Sequence, residues 1–79
     1  VPPPGGIFMS EEMKQWYIIH LNRALESRCF DVDTRQWVKR LELTHKAVFI
    51  RLCIIAAEHG EQALLQSVLA LQAFEQYGR

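Results

Sequence analysis

The sequence predicts an all-α fold, a compact bundle of four helices over 10–28, 34–43, 44–59 and 61–77. Three observations carry this. Ala47 to Ala57 is apolar at ten of eleven positions, broken only by Arg51, so as a helix it needs cover almost all round. Ala63 to Phe74 is apolar at nine of twelve positions and makes a second such segment. No run alternates apolar and polar residues between turn signals, the pattern a half-buried strand would show. A fragment of an α-solenoid, with helix pairs leaning on neighbours, is the alternative architecture.

The first helix starts after Ser10, whose hydroxyl can accept from the free amides of the first turn, while Glu11 and Glu12 suit the positive end of the helix dipole. Met13, Trp16, Tyr17, His20, Leu21, Ala24 and Leu25 then share one broad face. After Cys29 and Phe30, the run Asp31-Val32-Asp33-Thr34 offers several acceptors able to cap a second helix. Trp37, Val38 and Leu41 give that helix a narrow apolar stripe. Thr44 is placed to cap the third helix, and Gly60 to close it in a left-handed conformation. Glu61 and Gln62 open the fourth, which Gly78 and Arg79 end. The opening Val-Pro-Pro-Pro-Gly-Gly lacks amide donors at its prolines, so residues 1–9 read as an extended linker arm. One helical domain over 10–79, cut from a longer protein, is expected.

A chain of 79 residues makes one domain and hides only about 60% of the surface its unfolded form exposes. Apolar residues make up 49% and charged residues 23%, a composition that folds rather than stays disordered. Nine basic against nine acidic side chains leave no net field to draw the molecule onto polyanions. Cys29 and Cys53 do not form a disulfide framework of the secreted kind, and no apolar run reaches the roughly 20 residues that span a bilayer. An intracellular location, cytoplasmic or nuclear, is expected, with no membrane span.

Chemistry has little support. His20, His45 and His59 are too scattered for a metal site, Cys53 sits in the most apolar run, and the pairs Glu11/Glu12 and Asp31/Asp33 stand where helix starts want acceptors. Neither an enzyme nor a cofactor is expected.

Two segments that both want cover exceed what so short a chain can hide, and the fourth helix breaks its apolar run with uncharged glutamines. The expected function is therefore a non-catalytic protein–protein interaction or oligomerisation module. Its partner-binding candidates are Trp16, Trp37, Leu65, Leu69, Phe74 and Tyr77, aromatic and large aliphatic anchors of the kind interfaces use, and its partner is another protein or a second copy. The alternative is a small nucleic-acid-associated domain contacting phosphates through Arg35, Lys39, Arg40 and Lys46 in a helix-turn-helix outline. Against it, the helix that would enter the groove is the greasiest of the four.

Overall fold

Three helices make up the computed structural model, which describes residues 10–77. They are α1 (Glu11–Leu25), α2 (Val32–Thr44) and α3 (Lys46–Tyr77). The expected linker arm over 1–9 and the stop at Gly78 and Arg79 lie outside the described residues. The all-α class holds, and no strand occurs among the described residues. The count of four becomes three because the two most apolar segments join into one long element, α3, that is broken but not interrupted at Gly60.

The break is a sharp one. A straight helix of 32 residues would be about 48 Å long, yet the molecule is only 35 Å in its longest dimension. Gly60 has φ 89° and ψ −177°, a conformation open almost only to glycine. The chain therefore folds back there, and the arms 46–59 and 61–77 lie side by side. Val48 and Leu71, nearly equidistant from Gly60, line one groove together. Gly60 thus does what its sequence position suggests, turning the chain into an antiparallel pair.

Helix starts follow local chemistry, with shifts of a few residues. Ser10 caps α1, its Oγ accepting from the amide of Met13 at 3.2 Å. The helix ends at Leu25 rather than 28, since the Ser27 amide bonds Ala24 and that of Phe30 bonds Ser27. This turn drives Phe30 into the core, where it is buried. Helix α2 begins two residues early because Asp31, not the later acceptors, takes the Thr34 amide at 2.7 Å. Thr44 does not cap the third helix. It is the last residue of α2, and its hydroxyl donates back to the Arg40 carbonyl at 2.9 Å; His45, at φ −141° and ψ 70°, makes the break.

One core joins the elements. Tyr17, Leu21 and Leu25 of α1, Val38 and Leu41 of α2, and Phe49, Leu52, Cys53, Leu64 and Val68 of α3 are buried together with Phe30. Helix α3 packs on both α1 and α2. Lys14 and Ile18 share a groove with Lys46 and Ile50, and Ser27 to Cys29 meet Glu61 and Gln62, so α1 and the first arm of α3 run in the same sense. Consecutive segments alternate in direction, bridged between α1 and α2 by Lys39 Nζ donating to Asn22 Oδ1 at 2.7 Å.

Candidate interaction surface

Periodicity within α3 decides which apolar residues stay outside. Positions 64, 68 and 71 fall on one stripe at 100° per residue; Leu64 and Val68 are buried by it and Leu71 half-buried. Leu65 and Leu69 lie on one flank of that stripe. Phe74 and Tyr77 lie on the other, together with Ala70. The six expected anchors are therefore not gathered in one place.

Trp37 and Phe74 are. They line a groove where α2 meets the two arms of α3, with Leu41, His45, Val48, Leu71 and Glu75. Trp37 is half-buried, while Phe74 is 76% exposed. The groove continues past Val48 and Leu71 into an open depression between the arms, lined by Ala47, Arg51, Ile55, Ser67 and Ala70. Three of these side chains, Ala47, Ser67 and Ala70, are short and leave room beside Arg51 and Ile55. The sequence points to Trp37 and Phe74 but not to Ala47, Ser67 or Ala70, whose small size gives no signal until the arms are side by side.

The remaining anchors sit elsewhere. Trp16 is half-buried on α1, packed edge-on against Tyr17 with ring centroids 4.9 Å apart and tilted over His20 at 4.2 Å. Leu65 is half-buried and Leu69 is 48% exposed. Tyr77, 84% exposed, stands at the end of α3. Two exposed apolar side chains on α2 escape the sequence reading, Val32 and Leu43.

The basic candidates have separate environments. Arg35 is half-buried and turns back, its Nη2 donating to the Phe30 carbonyl at 3.0 Å. Lys39 is held by Asn22. Arg40 is exposed and stands 100° round α2 from Lys39, and Lys46 lies beyond the helix break beside Glu42.

Among the described residues, titration is perturbed at three places. Burial, then the charge of Glu42, pushes the Cys53 thiol up to about 12, so it stays protonated and unreactive at neutral pH. Burial and the nearby Glu58 raise the Tyr17 phenol. The hydrogen bonds from Thr34, assisted by Arg35, hold the Asp31 carboxyl below its ordinary value. Among the described residues no three His, Cys, Asp or Glu side chains converge as a metal site would require, and no helix is long and apolar enough to cross a membrane. No protein-family model, curated protein or solved structure matches the chain.

Proposed function

We propose that the chain is a non-catalytic interaction module that docks another protein, or a second copy of itself, on the groove built by α2 and the two arms of α3. The observation that carries this is Phe74, which stands 76% exposed beside Trp37 over the apolar walls of Leu41, Val48 and Leu71. Leaving one such side chain in water forgoes about 1.5–3 kcal/mol of burial, a sizeable part of the 5–15 kcal/mol that holds a small domain together. A partner that covers the groove recovers that energy, and the aromatic pair supplies the anchors interfaces favour.

The reading as a nucleic-acid-associated domain has less support, because Arg35 and Lys39 are engaged within the fold and Arg40 and Lys46 stand in different surroundings. The two readings differ in salt dependence: phosphate contacts weaken steeply as salt rises, whereas apolar docking does not.

The test is uptake of an apolar dye, anilinonaphthalenesulfonate, at high dilution where the groove is open. Dye fluorescence should rise with the wild-type protein and fall sharply with Phe74→Asp, whose far-UV circular dichroism stays unchanged because the side chain is outside the core. Equal uptake by both proteins, or none by either, contradicts the proposal.

A further inference from the structure

We infer that the occupant of this groove is a second copy of the chain, bound through a two-fold contact in which Phe74 of each copy enters the depression of the other; this rests on the docking surface proposed above. The face is self-complementary in shape. It carries an exposed ring, Phe74, at one end and an open depression lined by Ala47, Arg51, Ile55, Ser67 and Ala70 at the other, with Val48 and Leu71 shared between them. Knob and hole on one face of the same molecule pair reciprocally about a two-fold axis, so the contact closes at two copies rather than growing into a filament.

Charge agrees with shape. Glu75 follows Phe74 and is the one acidic side chain lining this surface, and Arg51 lines the depression. Both are exposed. Among the described residues neither forms an ion pair, the one such pair being Lys14 with Glu11. Seating Phe74 in the depression carries Glu75 to Arg51 of the other copy, and the two-fold axis makes that contact twice. A partner of uniform charge would leave one of the two facing its own sign, whereas a second copy satisfies both.

The experiment is sedimentation equilibrium on the wild type, Arg51→Glu, Glu75→Arg and an equimolar mixture of the two variants, over a wide concentration range. The wild type should associate to a dimer. Each variant alone should dimerise about tenfold more weakly or worse, since like charges then face each other at both contacts. The mixture should recover association near that of the wild type, because opposite charges meet again at both contacts. Circular dichroism confirms that the variants, altered only at exposed positions, are folded. A wild type that remains a 9.2 kDa species at every concentration overturns the second copy, as does a dimer that ignores the reversals or a mixture no better than its parts. Dye uptake separates this failure from that of the docking surface: a monomer that takes up dye through Phe74 loses only the second copy, and one that takes up none loses both.

Discussion

Asp31 Oδ1 accepts the amide hydrogen of Thr34 at 2.7 Å and closes the first turn of α2. The bond favours the ionised carboxylate, so the folded chain holds the Asp31 carboxyl below its ordinary value. A group with a lowered folded value adds stability above its unfolded value and loses it as the pH falls through the folded one. Asp31→Ala should therefore unfold at lower urea than the wild type at pH 7. The gap should narrow below about pH 4, as followed by circular dichroism across a pH series.

Gly60 should be intolerant of any side chain, and for a backbone reason. A Cβ placed there meets no atom within 4 Å, so space is not the constraint; φ of 89° with ψ of −177° is. Gly60→Ala should cost about 1–3 kcal/mol in a denaturant titration, and Gly60→Ser a similar amount. A cost that grows steadily with side-chain size would show crowding instead.

Two apolar residues of the same arm should behave in opposite ways. Leu64 has no exposed surface, and Leu64→Ala should destabilise the fold by about 2–5 kcal/mol through lost burial and the cavity left behind. Phe74→Ala, at a site 76% exposed, should change monomer stability by about 0.5 kcal/mol or less. Urea unfolding at high dilution measures both.

The two thiols should differ in the same manner. Cys53 is buried and Cys29 half-buried, so at neutral pH a disulfide-exchange reagent should label one thiol readily and the other only on unfolding. Burial raises the Cys53 thiol from 9.0 to about 12. Stability that is intact below pH 9 should therefore fall as the pH climbs towards 12, where the unfolded chain ionises first. Cys53→Ala should show a shallower alkaline loss in urea titrations, although it starts lower.

Much of this fold is legible in the sequence, because Ser10 acts on the first turn of its own helix and Gly60 through its own backbone conformation. Less legible is which of several acceptors caps α2. Asp31, Asp33 and Thr34 all qualify on local grounds, and the position is fixed by Phe30 entering the core while Arg35 reaches back to its carbonyl. Thr44 misleads for a related reason, since its hydroxyl can bond forwards as a cap or backwards to Arg40, and the structure takes the second course. Surplus apolar surface is also visible beforehand, and Phe74, Tyr77 and Leu69 are indeed exposed. A helical wheel fixes angles within one helix but not which neighbour covers each side. So it parts Leu69 from Phe74, as the fold does, but cannot show that Trp37 comes to line one groove with Phe74.

Emission from Trp37 is the sharpest probe of a second copy seated in the groove, because its ring lines the surface that copy would cover. In a Trp16→Phe protein Trp37 is the sole tryptophan, and its fluorescence maximum should move to shorter wavelength as protein concentration rises and water leaves the groove. Adding Phe74→Asp should abolish the shift. A maximum that stays constant with concentration, or a shift that survives Phe74→Asp, would contradict it.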